Sequence, residues 1–255
     1  MAGHSKWAQI KRSKAKVDAA RGAVFTKMSR EIIVAARMGG GDPAGNFRLR
    51  TAIEAARKAG VPNDNIKRAI SKGVGAEGAD ALEEIQYEGY GPSGVAILVR
   101  AFTDNRNRTA ADLRAAFGKN GGNLGETGCV GFLFAECGQI VLDNEDDDLT
   151  EDAVLEAALE GGADDVREAG GTFEVISKPA DLEAVQNALT ASGFKIESAG
   201  VVDLPSTTVR IDDPDTARKV LRLMERLDEL DDVQKVAANF DVPDEVLAEI
   251  EATMQ

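Results

Sequence analysis

The sequence predicts an α+β protein, in which a three-helix bundle at the N-terminus precedes α/β modules of the split βαβ, ferredoxin-like type. Hydrophobic residues follow a helical period through the first 80 residues, and strand and helix patterns alternate after that point. The charge changes sign at the same point, since residues 1–80 carry 16 Lys and Arg against 7 Asp and Glu, whereas residues 81–255 carry 14 against 37. Both changes place a domain boundary near residue 80.

The first helix is predicted from an apolar stripe with cations on either side. The stripe consists of Ile10, Val17, Ala20 and Val24 and continues through Met28, Ile32 and Ala35. Its period is that of an amphipathic helix, which can dock by one face while Lys and Arg stay exposed on its flanks. Consecutive glycines at 39–41 end the helix, because glycine is costly in a helix interior.

Two shorter helices follow, and each has a recognisable start and stop. Asp42 and Pro43 are predicted as the N-cap and the first-turn proline of the second helix, which ends at Gly60. The third helix begins around Pro62 and ends at Gly73. Short loops between three helices indicate a small bundle.

The rest of the chain alternates between strand and helix patterns. Strands are predicted over 95–101, 171–177, 196–204, 207–211 and 233–240, with a strand–turn–strand unit over 132–142. Helices are predicted over 109–119, 150–160, 181–191 and 214–230, and Thr109 is assigned as an N-cap. This order of elements is typical of split βαβ modules.

One α/β module is predicted to interrupt the other. Residues 133–204 hold 18 acidic and 3 basic residues and so differ sharply from both flanks. The predicted domains are a basic helical bundle over 1–80, an α/β domain formed by 81–132 plus 205–255, and an acidic inserted α/β domain over 133–204. The spacing of the elements alone leaves this nesting open.

The inventory of side chains disfavours enzyme chemistry. His4 is the only histidine, which excludes a histidine-dependent triad or a multi-histidine metal site within one chain. Two G-x-G-x-x-G strings, at 73–78 and 89–94, do not stand between a strand and a helix, so we interpret them as turns. The acidic run at 143–154 lacks the glycine and the glutamate that a calcium loop requires. We expect no enzymatic activity, no metal and no cofactor.

The cysteines and the absence of apolar runs indicate a cytoplasmic protein. Cys129 and Cys137 match no zinc or redox spacing, and we interpret them as reduced core thiols. No run of residues is long and apolar enough for a signal-peptide core or a membrane helix. We therefore expect no membrane partner.

The basic N-terminal part suggests a surface for polyphosphates, because binding depends on the local field within about 10 Å rather than on the net charge. Trp7 is suited either to stacking on an unpaired base or to filling the bundle. The segment 63–73 offers a short candidate recognition helix, and Arg106 and Arg108, near a helix N-terminus, either bind phosphate or are solvated. The candidate nucleic-acid-binding residues are Lys6, Trp7, Lys11, Arg12, Lys14, Lys16, Arg21, Lys27, Arg30, Lys67, Arg68, Lys72, Arg106 and Arg108.

Several long motifs in the same order resemble the YebC/PmpR family, which includes the mitochondrial translational activator of cytochrome c oxidase. They are MAGHSKWAQIKRSKAKVDAARGAVFTK, GGGDPAGNFRLR, PNDNIKRAISKG, YEGYGPSGVAILVRAFTDNRNRT and GKNGGNLG. The resemblance spans nearly the whole chain and implies three domains, a helical bundle and two α/β domains, with the third inserted in the second. It also implies no enzymatic activity.

The resemblance implies a nucleic-acid-binding regulatory protein. Family members are described as DNA-binding transcriptional regulators or as ribosome-associated translation factors, so the expected partner is DNA or ribosomal RNA, with the ribosome as a further partner. Two other classes stay open: an interaction module that binds a basic protein through the acidic domains, and a metal-dependent nuclease, for which no spaced carboxylate cluster stands out. A monomer is compatible with the sequence, which does not determine the oligomeric state.

Overall fold

The computed structural model describes residues 21–75, 82–144, 149–169 and 171–253. The chain forms two compact units, one made of the residues up to Phe134 together with those from Pro205 onward, and the other of Ala135–Leu204. Helices precede mixed helix and sheet, so the predicted α+β class is confirmed. Among the described helices, none has both the length and the apolar character that crossing a bilayer requires. The residue boundaries of the three predicted domains stay a proposal.

The elements are numbered in chain order. The first unit begins with α1 (Arg21–Gly39), α2 (Phe47–Lys58), α3 (Asn63–Gly75), β1 (Glu83–Tyr90), β2 (Ala96–Thr103), α4 (Arg106–Lys119) and β3 (Asn123–Leu124). Next come β4 (Phe134–Leu142), α5 (Glu151–Glu160), β5 (Asp165–Ala169), β6 (Thr172–Ser177), α6 (Leu182–Ala191) and β7 (Ile196–Pro205). The chain returns to the first unit with β8 (Val209–Arg210), α7 (Pro214–Asp228), β9 (Val233–Ala238), β10 (Phe240–Asp241) and α8 (Asp244–Thr253).

Helices α1, α2 and α3 pack around one apolar core, as their periodicity predicted. Ile32, Leu49 and Ala56 are fully buried in this core, and Ile53 and Ile66 nearly so. Burying each of the leucine and isoleucine side chains contributes about 1.5–3 kcal/mol, which is more than the intrinsic propensity of a short helix provides. The bundle is therefore held together by tertiary packing.

The second helix begins four residues later than predicted. Asp42 caps only a turn, in which its side chain accepts from the backbone N–H of Ala44. Asn46 is the N-cap, because its Oδ1 accepts from the N–H of Leu49 at 3.0 Å. Its Nδ2 also donates to the carbonyls of Ala35 and Gly40, both at 2.8 Å. A buried amide that bonds α1 as well as α2 fixes the start of the helix more strongly than the Asp-Pro pair does.

Gly73 is a packing residue rather than the predicted helix stop. Helix α3 continues through it to Gly75. A Cβ at position 73 would lie 2.5 Å from the carbonyl oxygen of Ile33 and 2.8 Å from the Cβ of Ala36. Glycine is present because α1 and α3 approach closely at this point.

The α/β part of the first unit is a four-stranded antiparallel sheet in the order β3–β1–β2–β9. Strands β2 and β3 are therefore parallel, with α4 between them in the chain and β1 between them in the sheet, which is a split βαβ unit. Helices α4, α7 and α8 contribute to the core on one side of the sheet, and the largest fully buried side chains there are Phe117, Leu223, Met224 and Phe240.

The second unit has the ferredoxin-like arrangement. Its elements follow the sequence β4–α5–β5–β6–α6–β7, and its sheet has the order β5–β6–β4–β7. Strand β6 pairs antiparallel with both β4 and β5. Val154 and Ala158 of α5 and Val185 and Leu189 of α6 are buried.

Several local predictions in the α/β parts were wrong or incomplete. The segment 132–142 contains one continuous strand, β4, instead of two strands and a turn. Helix α4 begins at Arg106 with Asn105 as its N-cap, so Thr109 is not a cap. Strands β1, β3 and β5 and helix α8 were not predicted, and the strand predicted over 207–211 is reduced to the two residues of β8.

Candidate nucleic-acid interface

A row of cations lies on the solvent-facing side of α3. Ile66 and Ala69 are buried in the bundle core, whereas Lys67, Arg68 and Lys72 are exposed. These three cations, the α3 row, make no hydrogen bond or ion pair within the described part of the chain. Arg68 and Lys72 are four residues apart and lie on the same side of the helix, and Lys67 extends the exposed charge around it.

Lys27 and Arg30 of α1 are instead engaged with the α/β part of the same unit. Lys27 Nζ donates to Asp228 Oδ1 at 3.1 Å and also to the carbonyl of that residue. Arg30 Nη1 donates to Asp232 Oδ1 at 2.6 Å and to the carbonyls of Asp231 and Phe102 at 2.7 and 3.0 Å. These bonds fasten the helical bundle to the sheet, so the two cations serve first as intramolecular contacts.

Asp232 accepts hydrogen bonds from cations and hydroxyl groups of the helical bundle and of the α/β part of the same unit. Arg108 Nη2 donates to its two carboxylate oxygens at 2.9 and 3.0 Å. The hydroxyl of Thr109 donates to Oδ2 at 2.7 Å, and that of Thr103 lies 3.3 Å from the same oxygen. Together with Arg30, these groups satisfy a carboxylate that is only 6% exposed. Such a buried charge requires this degree of pairing.

The pKa values in this cluster follow from the contacts. Burial raises the pKa of Asp232, but hydrogen bonds from Thr109, Arg108 and Arg30 outweigh burial and leave the pKa below its ordinary value. Hydrogen bonds to Asp232 and Asp104 raise the pKa of Arg108. Both partners therefore stay charged at neutral pH.

A cleft of about 610 Å³ lies beside this cluster and is predominantly acidic. Its lining consists of Arg30, Asp104, Arg108, Thr109, Asp112, Arg226, Glu229, Leu230, Asp231 and Asp232. Five of these side chains are carboxylates and three are arginines, so the field in the cleft opposes a phosphate group.

The N-terminus of α4 is also occupied by the chain itself. The side chain of Asn105 accepts from the N–H of Arg108 at 3.1 Å. Arg106 Nε donates to Glu83 Oε2 at 2.7 Å, and Arg108 pairs with Asp104 as well as Asp232. Phosphate binding by Arg106 and Arg108 stays a prediction, and a phosphate would have to compete with these carboxylates.

The remaining candidates belong to the N-terminal segment. Lys6, Trp7, Lys11, Arg12, Lys14 and Lys16 lie outside the described residues. Arg21 is the first residue of α1, but its side chain also lies outside the description. Their contribution to binding stays a prediction.

The sequence interpretation missed Arg48, which joins the bundle to the sheet. Its Nε donates to Glu31 Oε1 at 2.9 Å, and its Nη1 lies 3.3 Å from Glu84 Oε2. The guanidinium group also lies 5.8 Å from the centre of the Phe102 ring, within the range of a cation–π contact. No local signal marks Arg48, because its partners Glu31, Glu84 and Phe102 all lie in other elements.

Groups typical of metal or thiol chemistry do not converge in the described residues. No three His, Cys, Asp or Glu side chains in these ranges are placed to hold a metal ion. Cys129 and Cys137 are free and half-buried, and burial raises the pKa of both thiols.

Comparisons with known proteins cover both units. A family model described as the TACO1/YebC protein N-terminal domain matches residues 5–76, and one described as the TACO1/YebC second and third domain matches residues 82–240. The solved structure of a conserved hypothetical protein from Aquifex aeolicus has 49% sequence identity and a TM-score of 0.85, and the match covers 91% of this chain and 95% of that one. The fold is therefore shared along most of the chain.

Curated relatives match over nearly their full lengths. A protein from Gloeothece citriformis is 54% identical over 255 residues, covering 97% of this chain and 98% of the relative. Another from Desulfitobacterium hafniense is 52% identical over 246 residues, covering 96% of this chain and 98% of the relative. Both carry the name "Probable transcriptional regulatory protein".

Proposed function

The chain belongs to the TACO1/YebC family, and we propose that it is a non-enzymatic regulatory protein that binds nucleic acid in the cytoplasm through the α3 row. The names of its relatives support a regulatory role. DNA is the first candidate target, which makes the protein a transcriptional regulator. Ribosomal RNA is the alternative target, which makes it a ribosome-associated factor that assists translation elongation.

The observation that carries the proposal is the exposure of three unpaired cations on a fixed helix. Lys67, Arg68 and Lys72 are exposed on a helix whose other side is anchored in the bundle core. A polyphosphate that contacts them gains from counterion release, and no intramolecular carboxylate among the described residues has to be displaced. Lys27, Arg30, Arg106 and Arg108 would each have to give up such a partner.

Phosphate contacts explain affinity but not the choice of target. If the three cations of the row each neutralise one phosphate, log K should fall with log salt concentration with a slope of about −2.7 on duplex DNA and about −2.1 on single strands. Residues of the N-terminal segment would add to this slope. Sequence readout requires base contacts, for which α3 offers the exposed Arg68 and the half-buried Asn65.

The test uses the full-length protein and fluorescence anisotropy with a labelled duplex DNA and a labelled ribosomal RNA fragment. The variant Arg68→Glu/Lys72→Glu reverses two charges of the row. The control Arg114→Glu/Arg222→Glu reverses two exposed arginines on α4 and α7 and changes the net charge by the same amount. We expect the row variant to weaken binding at least about tenfold at moderate salt and the control less than about threefold.

The two variants separate local contacts from the overall charge. Equal losses in both would mean that only net charge matters and would contradict a binding role for the α3 row. The ratio of the affinities for the two probes decides between the DNA and RNA targets. Incubating the same probes with magnesium or manganese tests the absence of nuclease activity, since cleavage would contradict the proposal.

A further inference from the structure

A buried carboxylate holds the loop that connects β3 to β4. Glu88 of β1 is 3% exposed, and its Oε1 accepts from the N–H of Gly128 at 2.9 Å. Its Oε2 accepts from the N–H groups of Val130 and Gly131 at 2.7 and 2.6 Å. Burial raises the pKa of Glu88, but these hydrogen bonds together with one from Gln86 lower it below its ordinary value. One charged side chain therefore fixes three backbone positions of the loop.

Further contacts secure the same loop at other points. The hydroxyl of Tyr90 donates to the carbonyl of Cys129 at 2.9 Å. The carbonyl of Leu133 accepts from the N–H and the hydroxyl of Ser206 at 2.8 and 3.0 Å. Val130 is fully buried in a small apolar cluster under the sheet. The backbone on both sides of residue 132 is therefore well determined.

Phe132 points away from the core although its neighbours are anchored. Its exposed fraction is 75%, whereas Val130, two residues earlier, is 0% exposed and Leu133 is half-buried. Burying a phenylalanine contributes about 1.5–3 kcal/mol, and the fold forgoes this contribution at position 132. A large apolar side chain held in water by a rigid backbone is pre-organised for a partner, because little conformational entropy remains to be lost on binding.

The surroundings of Phe132 fit a nucleobase better than a protein. A stable protein interface covers about 800 Å² per partner around an apolar centre. The other exposed residues of this loop, Glu126, Thr127 and Gly128, are polar or glycine, and its apolar residues Val130 and Leu133 are buried or half-buried. A single ring is sufficient for a base, because stacking uses one π face and tolerates any sequence.

We propose that Phe132 stacks on an unpaired base of the nucleic acid that the α3 row binds, and that Glu88 and Tyr90 position it. The inference rests on the proposed function and narrows its substrate class to nucleic acid with exposed bases, which is single-stranded or locally melted. In a duplex the bases are already stacked on each other, so the ring has no free face to cover.

The test compares single-stranded and duplex probes with the full-length protein. The probes are a labelled 12-nucleotide single-stranded RNA, the corresponding DNA strand, and the DNA duplex. The variants are Phe132→Ala and Phe132→Trp, with Leu159→Ala as the control, since Leu159 is another exposed apolar side chain, 59% exposed, on α5. Thermal unfolding checks that all variants keep the stability of the wild type.

We expect Phe132→Ala to weaken binding of the single strands about 5- to 150-fold, which corresponds to about 1–3 kcal/mol for one stacked base. Phe132→Trp should keep the wild-type affinity or exceed it, and affinity for the duplex should change less than twofold in every variant. A strand that carries 2-aminopurine should lose fluorescence on binding to the wild type and keep it with Phe132→Ala, because stacking quenches this base.

The outcomes separate this inference from the proposed function. If Phe132→Ala binds every probe as the wild type does while Arg68→Glu/Lys72→Glu binds none, the stacking role is overturned and the proposed function stands. Equal losses on single strands and duplex would overturn the stacking role as well. If the wild type binds none of the probes, the proposed function itself fails. A role of Phe132 in binding a protein would appear as the first of these outcomes.

Discussion

Replacing Asp232 with asparagine tests whether this buried carboxylate holds the helical bundle on the sheet. The change keeps the shape of the side chain and removes the charge that faces the guanidinium groups of Arg30 and Arg108. An amide oxygen at the Oδ2 position still accepts from the hydroxyls of Thr103 and Thr109, but the amide nitrogen then replaces Oδ1 and cannot accept from Arg30 and Arg108, so both the charge and these hydrogen bonds to the guanidinium groups are lost.

The magnitude follows from the burial of the three charges. Removing one partner of a fully buried ion pair costs about 3–5 kcal/mol, because the other charge is left without compensation. Asp232 is 6% exposed, but the side chains of Arg30 and Arg108 are 19% and 46% exposed. Both guanidinium groups therefore recover part of their hydration, and we expect the free energy of unfolding to fall by about 2–3 kcal/mol.

Urea unfolding followed by far-UV circular dichroism at pH 7 measures this loss. Glu229→Gln is the matched control, because it removes the charge from an ion pair with Arg226 in which the side chains are 65% and 57% exposed. That pair should contribute less than about 0.5 kcal/mol. A loss in Asp232→Asn no larger than in the control would refute the reasoning.

The pH dependence of stability provides a second check, because it depends on the direction in which folding shifts the pKa of Asp232. The pKa of Asp232 lies below its ordinary value in the folded protein, so the unfolded chain takes up the proton first on acidification. The stabilisation is fully present above the pKa of an unfolded aspartate, about 4, and is lost as the pH falls through the folded value. The difference between wild type and Asp232→Asn should therefore shrink below about pH 4. A difference that grows in acid would contradict the assignment.

Three further substitutions test the packing and the loop. Gly73→Ala should lower the stability by about 1–3 kcal/mol in thermal unfolding, because its Cβ would meet the carbonyl of Ile33 at 2.5 Å, whereas Gly75→Ala meets nothing within 4 Å and serves as the control. Asn46→Ala should cost about 2 kcal/mol in urea unfolding, since it removes an N-cap and two buried hydrogen bonds, and equal stability would mean that water replaces them. Glu88→Gln should speed hydrogen exchange of the amides at 128, 130 and 131, and unchanged exchange would show that the loop does not depend on the charge.

The bundle could be predicted from the sequence because its determinants are local. The apolar residues of its helices, such as Ile32, Ile53 and Ile66, recur at helical spacing and are buried as expected. The start of α4 could not be predicted in the same way, because Thr109 precedes an apolar run and so has the local pattern of an N-cap. Its hydroxyl in fact bonds Asp232, which is 123 residues away in the chain.

Contacts between residues far apart in the chain also limited the prediction of the candidate site. Lys27 and Arg30 resembled the other cations of the basic segment, but their carboxylate partners lie 201 and 202 residues further along the chain. Counting charge in a window cannot show such pairing. The exposure of Lys67 and Arg68 could be predicted, since the helical period that buries Ile66 places them on the other side of α3.

The charge distribution explains why binding would need short-range contacts. Residues 135–204 hold 18 Asp and Glu against 3 Lys and Arg, which gives them a net charge of −15. Because the net charge of the whole chain is −14, the rest of the chain is close to neutral. A polyphosphate is repelled by the acidic unit irrespective of its sequence, although salt at physiological concentration limits the repulsion to distances of about 8 Å. Under the proposed function, attraction by the α3 row and stacking on Phe132 together must exceed this repulsion. If both proposals hold, this repulsion suppresses weak, indiscriminate binding and favours a strand that satisfies both contacts.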